Sequence, residues 1–354
     1  MSERAAAAGR DARPVLFVTN HAPAFRIPAF TALHEREHVV FALIGGGVRH
    51  GGAIADAALP FPVVRPSQRA VARLAASGQY RAVIAGLSGR VALPAAYAGA
   101  RRAGVPFVLW ATIWRHPRTP AHALSYLPLR HIYRHAEAIA TYGPHVSAYV
   151  RSKRPRGAVL EAPQAVDGAF WGAPAAAPER HGEFQILFAG RLEPEKGVDV
   201  LAAAAAGQGT LVLAGDGPLR PAGAVLAGNR GADDLRNLYA GSDVVVVPSV
   251  PTPDFLEPWG LVVNEAFHQG IPVIATDAVG AAAGGLVRNE RTGLVVPAGD
   301  VRALRAAIER LRAEPELRAR LGAAAREAVA AYTPAAWAAG MAGALHTAEK
   351  GLLA

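Results

Sequence analysis

Short runs of apolar residues alternate with longer mixed segments along the whole chain. The run over 105–110 is apolar throughout, as a strand of a parallel sheet is when helices cover both of its faces. In the first half, the pattern predicts strands over 14–19, 39–44, 81–85, 105–110 and 138–142 and helices over 26–36 and 89–103. In the second half, it predicts strands over 184–189, 210–214, 244–247, 272–275 and 294–296, helices over 198–206, 234–240, 261–269 and 301–313, and a helical tail over 315–350. This alternation predicts an α/β fold with parallel, doubly wound sheets.

The alternation is interrupted between 162 and 180, where proline, glycine and alanine dominate. A chain of 354 residues is too long for one ordinary core and fits two domains of about 150 to 170 residues each. We therefore expect a first domain over 14–172, a linker over 173–183 and a second domain over 184–335. The segment 1–13 has scattered charges and no apolar core, so we expect it to be disordered rather than a signal peptide or an anchor.

The composition is that of a folded protein, with 51% hydrophobic and 18% charged residues. The absence of cysteine excludes a disulfide framework, a thiolate zinc site and a cysteine nucleophile. The longest uncharged stretch near the middle of the chain, 200–215, contains Gly207 and Gly209 and is too short to span a bilayer. These features predict a cytoplasmic protein.

Positive charge is concentrated in the first half of the chain. Residues 1–172 hold 21 Lys+Arg and 8 Asp+Glu, a balance of +13, whereas residues 173–354 hold 16 and 20, a balance of −4. A basic domain beside a nearly neutral one suits an anionic acceptor or a lipid phosphate at a membrane face. An arginine-rich composition alone would produce the same asymmetry, since the chain has 34 Arg and only 3 Lys. Against that background, a lysine within a motif indicates a need for a compact charge.

Two short blocks in the second half carry candidate chemistry. The first, 190–197, reads Gly-Arg-Leu-Glu-Pro-Glu-Lys-Gly and comes where a strand would feed a helix. Arg191 and Lys196 in this block could neutralise a diphosphate. The second block, 257–265, reads Glu-Pro-Trp-Gly-Leu-Val-Val-Asn-Glu, and the carboxylates at its two ends could accept hydrogen bonds from sugar and ribose hydroxyls. Together the blocks predict an enzyme that handles an activated sugar.

The order and spacing of several motifs in the second half resemble the donor domain of family 4 glycosyltransferases. These motifs are 188–192 with 195–197, the glycine-rich turn 213–219, 239–240 before Asp243, 248–249, 257–266, 270–273 and 293–295. The resemblance implies the GT-B fold, in which two Rossmann-like domains face each other across an active-site cleft. It also implies that the C-terminal segment 336–354 is a helix that crosses back to the first domain, with Trp337 as a packing anchor. The implied activity is a retaining, metal-independent sugar transfer from a nucleotide-diphosphate sugar.

The resemblance assigns roles to the matching residues of the second half. It implies that Arg191 and Lys196 neutralise the donor pyrophosphate as the leaving group departs. Glu257 would bind sugar hydroxyls and Glu265 ribose hydroxyls, with backbone amides at the start of the following helix near the phosphates. The full predicted donor-binding set is Gly190, Arg191, Lys196, Glu257, Trp259, Gly260, Leu261, Val262 and Glu265. The segment 229–232 shows no clear strand and loop for the base, so uridine, guanosine and thymidine all stay open.

The first half matches the family more loosely. Its first strand leads into 20–30, which resembles a subgroup with an Asn-x-x-Pro-x-x-Arg type of turn. We expect Asn20, His21 and Arg26 on the acceptor side. Arg26 could receive an anionic group there, or it could lie on the surface of the helix.

The loop after the strand that ends at Trp110 is the second acceptor-side candidate, because such loops hold functional residues in parallel folds. It carries Thr112 and His116. His116 is the predicted partner for a hydrogen bond to the donor sugar or the acceptor, with His21 as the second choice. Trp110 could stack on a sugar face or belong to the core.

The predicted catalytic set is Arg191, Lys196, Glu257 and His116, with no metal or other cofactor. No acidic residue in 110–117 could serve as a nucleophile, so we expect a front-face substitution in which the leaving phosphate takes the acceptor proton.

Other functions stay open at this stage. They are a GT-B sugar-nucleotide epimerase or phosphorylase and a noncatalytic sugar-nucleotide binding protein. The expected partners are a nucleotide-sugar donor, a hydroxyl acceptor that could be anionic or lipid-linked, and a peripheral membrane contact through the basic first domain. No nucleic-acid partner is expected, since the aromatic and basic stripes of such proteins are missing from the sequence.

Overall fold

The computed structural model describes residues 12–45, 59–87, 89 and 91–353. These residues form two α/β domains, each built on one parallel sheet that helices cover on both faces. The fold class predicted from the alternation is therefore confirmed. Within the segment 1–13, for which disorder is predicted, residues 1–11 lie outside the described residues. Arg13 is described, and its Nη1 donates a hydrogen bond of 2.8 Å to the Gly78 carbonyl.

The described residues of the first domain form seven parallel strands. They are β1 (Val15–Thr19), β2 (Val39–Leu43), β3 (Val63–Val64), β4 (Ala82–Gly86), β5 (Phe107–Ala111), β6 (Ala138–Thr141) and β7 (Ala158–Glu161). Its helices are α1 (Ile27–Glu37), α2 (Val71–Ala75), α3 (Ala92–Ala103), α4 (Pro120–His135), α5 (Pro144–Arg151) and α6 (Gly168–Gly172). The strand order is β3-β2-β1-β4-β5-β6-β7. Every residue of β1, β4 and β5 is buried, which explains why these strands read as continuous apolar runs.

The second domain holds six parallel strands. They are β8 (Gln185–Ala189), β9 (Thr210–Ala214), β10 (Val225–Gly228), β11 (Val244–Val247), β12 (Val273–Thr276) and β13 (Gly293–Val296), in the order β10-β9-β8-β11-β12-β13. The helices are α7 (Val198–Ala205), α8 (Ala232–Ala240), α9 (Val262–His268), α10 (Gly280–Ala283), α11 (Val301–Ala313), α12 (Pro315–Val329) and α13 (Pro334–Leu353).

The strand order reverses beside the first strand of each sheet. In the first domain the chain moves outward from β1 to β2 and β3 and then returns to β4, on the other side of β1. In the second domain it moves from β8 to β9 and β10 and then returns to β11. Loops that leave the sheet on either side of such a reversal diverge and open a crevice at the carboxyl ends of the strands. Both domains therefore have a crevice at this point.

The last helix, α13, packs on the first domain. Trp337 is fully buried there, with its ring centroid 5.6 Å from that of Phe30 and 6.4 Å from that of Phe17. At Gly340 an added Cβ would lie 2.2 Å from the Glu161 carbonyl oxygen, so glycine lets the helix approach the end of β7 closely. Helix α13 therefore packs the C-terminal segment onto the first domain.

The predicted strands agree with the structure to within two residues at each end, but the strand β10 contradicts one expectation. The sequence predicts no clear strand and loop at 229–232, yet β10 ends at Gly228, directly before this segment. The strand is a short edge strand whose pairing with β9 is irregular between Leu226 and Gly228. Such a strand has one neighbour and few buried positions, so its hydrophobic pattern is weak. The pattern also gave no prediction for β3, β7, α4 or α5.

Candidate active site in the interdomain cleft

A cleft of about 1160 Å³ is lined by residues of both domains. This volume is on the order of the larger small-molecule sites in proteins. The first domain contributes Ala24, Phe25, Pro28, Asp167, Phe170 and Trp171 to its walls. The second domain contributes 189–191, 214–217, 229–232, Leu235, Val262 and Glu265. The two sequence blocks of the second half thus border one cleft, through Arg191 and Glu265.

Glycines shape the floor of the cleft where β8 and β9 end. The Gly190 amide donates to the Ala214 carbonyl at 2.9 Å. Gly215 has a φ of 144°, and an added Cβ would lie 1.8 Å from the Gly190 carbonyl oxygen. Only glycine fits there, because the two loops pack backbone against backbone. A ligand in the cleft can therefore approach the main chain directly.

An ion pair joins the two blocks. Lys196 Nζ contacts Glu257 Oε2, and both side chains are largely buried. Ser249 Oγ donates to the same Oε2 at 3.0 Å. Among the described residues Glu257 Oε1 has no such partner, so this oxygen can accept a further hydrogen bond. The ammonium group of Lys196 also lies 4.8 Å from the Phe255 ring centroid.

The turn that carries Lys196 is fixed by a glycine. Pro194–Lys196 forms a 3-10 turn, which Gly197 ends with a φ of 70°. An added Cβ at Gly197 would lie 2.0 Å from the Pro248 carbonyl oxygen. The Gly197 position therefore sets the loop after β8 tightly against the loop after β11.

Glu265 is a buried carboxylate on the wall of the cleft. It stands in the first turn of α9 and accepts a hydrogen bond of 2.7 Å from the Tyr239 hydroxyl. Burial raises the pKa of Glu265 to about 7, although the Tyr239 hydrogen bond acts in the opposite direction. The carboxyl group is therefore partly protonated at neutral pH, and hydroxyls that donate to it would favour its ionised form.

Arg191 brings a partly exposed positive charge to the cleft. Its Nη2 lies 2.9 Å from Glu195 Oε1, in an ion pair that is open to solvent on the arginine side. Such an exposed pair costs little to separate, so the guanidinium can turn to an incoming anion. Arg230, which also lines the cleft, pairs with Glu179 at 3.1 Å.

The remaining residues of the second block have different surroundings. Val262 lines the cleft, and Gly260 has a φ of 90° in the turn that leads into α9. Leu261 immediately precedes that helix and is half-buried. Trp259 is buried, and its Nε1 donates to Asn264 Oδ1 at 2.7 Å. Its ring packs inside the protein, so only its backbone remains near the predicted ligand.

Arg26 is buried in the first domain rather than exposed on the helix surface. Its Nη2 donates to the Tyr142 hydroxyl at 2.8 Å, and its guanidinium lies 5.1 Å from the Trp110 ring centroid. Burial lowers the pKa of Arg26, and Nη1 has no hydrogen-bond partner among the described residues. Trp110 is itself buried and packs edge-on against Trp337 at 5.6 Å. The ring of Trp110 therefore belongs to the core, and Phe25, beside Arg26, lines the cleft instead.

The other first-domain candidates do not line the cleft. Asn20 accepts a hydrogen bond of 2.7 Å from the Gly45 amide through its carbonyl, and His21 follows it in the same loop. Thr112 directly follows β5 and is half-buried. His116 lies in a separate pocket, where its Nε2 contacts the His122 carbonyl at 2.9 Å. Arg191 and Glu265 therefore line the cleft, Lys196 and Glu257 form an ion pair with each other, and His116 lies in a separate pocket.

A group of interdomain contacts was missed by the sequence reasoning. Trp114 Nε1 donates to the Glu257 carbonyl at 3.0 Å, and Arg115 Nη2 donates to the Phe255 carbonyl at 2.6 Å. His145 Nε2 lies 3.1 Å from the Pro258 carbonyl. Burial lowers the pKa of His145, so the ring is neutral and donates its Nε2 hydrogen.

These three side chains of the first domain hold the main chain around Glu257 in the second domain. The only sequence signal for them was that Trp114 and Arg115 follow a predicted strand. Their partners are backbone carbonyls, which no sequence pattern reveals.

The described residues include no group of three or more His, Cys, Asp or Glu side chains that could hold a metal ion. Within the same residues, no helix has the length and apolar character to cross a membrane.

Comparison with known proteins matches the second domain to a family. The family model for glycosyl transferases group 1 covers residues 172–328. The alpha-D-kanosaminyltransferase of Streptomyces kanamyceticus is 34% identical over 149 residues, which cover 38% of this chain and 38% of that protein. The GDP-mannose-dependent alpha-mannosyltransferase of Mycobacterium tuberculosis is 40% identical over 122 residues, which cover 32% of this chain and 30% of that protein. The match thus spans about a third of the length of these relatives.

Solved structures match the fold of the whole chain. Anabaena HepE in complex with UDP superposes with a TM-score of 0.75 at 17% identity, covering 94% of this chain and 100% of that one. Sucrose-phosphate synthase from Thermosynechococcus elongatus superposes with a TM-score of 0.72 at 20% identity, covering 94% of this chain and 98% of that one. The chain has the GT-B fold, and its residues 172–328 match the group 1 glycosyl transferase family. The fold and the family resemblance predicted from the ordered motifs are therefore confirmed for this GT-B protein.

Proposed function

We propose that this protein transfers a sugar from a nucleotide-diphosphate donor to an acceptor hydroxyl, with retention of configuration and without a metal ion. The observation that carries the proposal is the joining of the two blocks by the Lys196–Glu257 ion pair beside a cleft that Arg191 and Glu265 line. Cations for a diphosphate and carboxylates for hydroxyls are thereby brought to one place. The group 1 domain and the UDP complex of Anabaena HepE support a nucleotide-sugar donor.

The donor would extend along the second-domain wall of the cleft. Its ribose hydroxyls would donate to Glu265, and its diphosphate would lie near Arg191 and the exposed backbone of the Gly190 turn. Its sugar would then reach Glu257 Oε1, in the segment whose backbone carbonyls Trp114 and His145 contact. The base stays open, since HepE is solved with UDP whereas the mycobacterial relative is named for GDP-mannose.

In the proposed reaction, the acceptor oxygen forms a bond to the anomeric carbon on the face from which the diphosphate leaves. The bond between that carbon and the phosphate oxygen breaks, and the departing phosphate takes the proton of the acceptor hydroxyl. Negative charge grows on the diphosphate during this step, and Arg191 and Lys196 would stabilise it. Closure of the domains would exclude water that otherwise hydrolyses the donor.

The acceptor is a hydroxyl compound that enters from the side of the first domain. The basic charge of that domain supports an anionic or lipid-linked acceptor, handled at the cytoplasmic face of a membrane.

The test begins with the thermal stability of the purified protein against sugar nucleotides and their bare diphosphates, with and without EDTA. A ligand at a hundred times its Kd should stabilise the folded state by about 2.7 kcal/mol. We expect one nucleotide series to raise the Tm equally with and without EDTA. The rise should vanish in Lys196→Ala and persist in Lys350→Ala, a matched control at an exposed lysine of α13.

Acceptor screening with the donor so identified then tests the reaction. A product with the same anomeric configuration as the donor supports retention, and an inverted product excludes it. Isomerisation of the donor without any acceptor would indicate an epimerase instead. Donor binding without turnover in any acceptor pool would indicate a binding protein.

A further inference from the structure

A second pocket lies in the first domain and shares no lining residue with the cleft. Its volume is about 680 Å³, and it is bounded by the loop after β5, the start of α4 and the end of α5. Three cationic side chains line it, those of Arg115, Arg118 and Lys153. The tyrosine rings of Tyr126 and Tyr149 form an aromatic wall. Among the described residues no carboxylate lines this pocket, so its walls favour an anion.

Lys153 is held where it can meet such an anion. It is one of only three lysines in the chain, and its Nζ lies 4.2 Å from the Tyr149 ring centroid and 5.8 Å from that of Tyr126. Neither Lys153 nor Arg118 forms an ion pair with a carboxylate in the part of the chain that the structure describes. The aromatic contacts fix the ammonium group without neutralising its charge.

The surroundings of the pocket are strongly basic. Residues 115–156 contain eight Lys+Arg but a single acidic residue, Glu137. The eight are Arg115, Arg118, Arg130, Arg134, Arg151, Lys153, Arg154 and Arg156. Glu137 is already paired with Arg101. Acidic residues of this segment therefore do not neutralise its positive charge.

Two leucines stand in solvent beside this basic pocket. Leu124 is 86% exposed and Leu127 is 69% exposed. They are three residues apart in the first turns of α4, so they project from one side of the helix. Ala123 and Pro128 next to them are also exposed. Single exposed leucines are ordinary, but two on one helix face beside an unbalanced basic pocket mark an interaction surface.

We infer that this pocket and the exposed face of α4 form a docking surface for a membrane that contains anionic phospholipids. The pocket would hold a lipid phosphate between Lys153 and Arg118, and Leu124 and Leu127 would enter the boundary between headgroups and acyl chains. Stable membrane attachment generally needs two contributions to binding. This surface supplies positive charge for the lipid headgroups and apolar side chains for the acyl chains. A protein partner would fit the leucines, but it would need acidic groups that a phospholipid surface already provides.

The surface lies beside the active-site cleft. The loop after β5 that lines the pocket also contacts the second domain, since the Arg118 amide donates to the Pro253 carbonyl at 2.6 Å. An acceptor carried in the membrane would therefore be near the loop that bears Glu257. Membrane docking itself does not depend on sugar transfer, whereas delivery of the acceptor by this route rests on the proposed function.

The experiment measures co-sedimentation of the full chain with vesicles, in the absence of any donor. One set of vesicles is pure phosphatidylcholine, and the other is a mixture of phosphatidylcholine and phosphatidylglycerol. We expect binding to the mixed vesicles only, and weaker binding as salt is raised. Equal binding to both kinds of vesicle, or to neither, overturns the inference.

Paired variants locate the surface. Lys153→Glu and Leu124→Ser with Leu127→Ser should each lower the vesicle partition coefficient by about tenfold or more. The matched controls lie in the second domain, where Leu226→Ser changes another exposed leucine and Arg302→Glu another exposed cation. Controls that weaken binding as much as the test variants would place the contact elsewhere. Circular dichroism melting verifies that all variants remain folded.

Two further measurements distinguish membrane binding from binding of a free phosphate compound or of a protein. If inorganic phosphate stabilises the protein, and Lys153→Glu removes that effect while vesicle binding stays unchanged, the pocket serves a free phosphate compound and the membrane assignment fails. If the leucine substitutions change the oligomeric state in light scattering but leave vesicle binding intact, the face is a protein interface and the assignment also fails. Loss of vesicle binding with a normal donor-induced Tm shift would support the docking surface separately from the active site.

Discussion

The two domains share an architecture, but they hold their functional groups in different ways. In the second domain, the charged groups of the cleft stand on loops that pack backbone against backbone, as at Gly215 and Gly197. In the first domain, the loop after β1 ends in a buried arginine, Arg26, enclosed by aromatic rings. Tight backbone contacts demand glycine at fixed positions and leave a motif in the sequence, whereas side-chain enclosure can be built in many ways. The difference explains why the cleft residues of the second domain can be predicted from the sequence and those of the first domain cannot.

The largest effect is expected from Lys196→Ala. Loss of a charge that stabilises the transition state should lower kcat by about 10²- to 10³-fold. Lys196 and Glu257 are both largely buried, so the substitution also lowers the free energy of unfolding, and the rates are compared at a temperature at which circular dichroism shows the variant to be folded. The measurement is the initial rate at saturating donor, with Lys350→Ala as the control. If turnover stays within a few-fold of normal, the cationic block does not act on the leaving group.

Gly215→Ala tests the backbone packing of the second domain. The added Cβ would lie 1.8 Å from the Gly190 carbonyl oxygen at a φ of 144°, so we expect a loss of about 3 kcal/mol or more in the free energy of unfolding. Gly207→Ala is the matched control, because its φ of 75° is also left-handed but no atom lies within 4 Å of the added Cβ. That control should cost only about 1 kcal/mol. Equal losses in denaturant unfolding would show that the close approach is unimportant.

The sequence predicted both sheets, the two domains and the residues that meet at Lys196 and Glu257, because continuous apolar strands and glycine turns are local signals. It did not predict that His116 lies apart from the cleft, since the path of a long loop after a strand depends on distant packing. The aromatic enclosure of Arg26 was invisible for the same reason: Tyr142 is far from it in sequence and meets it only in the fold. Contacts to backbone carbonyls, such as that of Trp114, carry no sequence signature at all.

Glu265 provides a pH test of the donor side. Its pKa is raised from 4.5 to about 7 in the folded state, so the folded protein binds more protons than the unfolded chain between these values. Stability from this group is therefore present below about pH 4.5 and is lost as pH rises through about 7, by up to about 3 kcal/mol. Glu265→Gln should flatten that part of the stability curve.

Donor binding should release protons near pH 7, since ribose hydroxyls would favour the ionised carboxylate. Calorimetry in buffers of different ionisation enthalpy measures this release, and Glu265→Gln should abolish it. Tyr239→Phe serves as a control that removes the hydrogen bond but keeps the carboxylate, and its proton release should persist. Proton uptake instead of release would contradict the ribose contact.

The smallest expected effect compares Trp114, whose contact with the second domain is found in the structure, with His116, which the sequence predicts at the donor sugar or the acceptor. Trp114→Phe keeps an aromatic ring at this position but removes the N–H that donates to the Glu257 carbonyl. The loss of this one hydrogen bond should weaken donor binding by about fivefold. His116→Ala should leave donor affinity unchanged, because His116 contacts the His122 carbonyl in the separate pocket. Donor affinities of the two variants, measured by titration calorimetry, decide between them. If His116→Ala weakens donor binding more than Trp114→Phe does, His116 contacts the donor in an arrangement of the loop after β5 that differs from the one described above. The first domain would then follow the family resemblance more closely than its packing indicates.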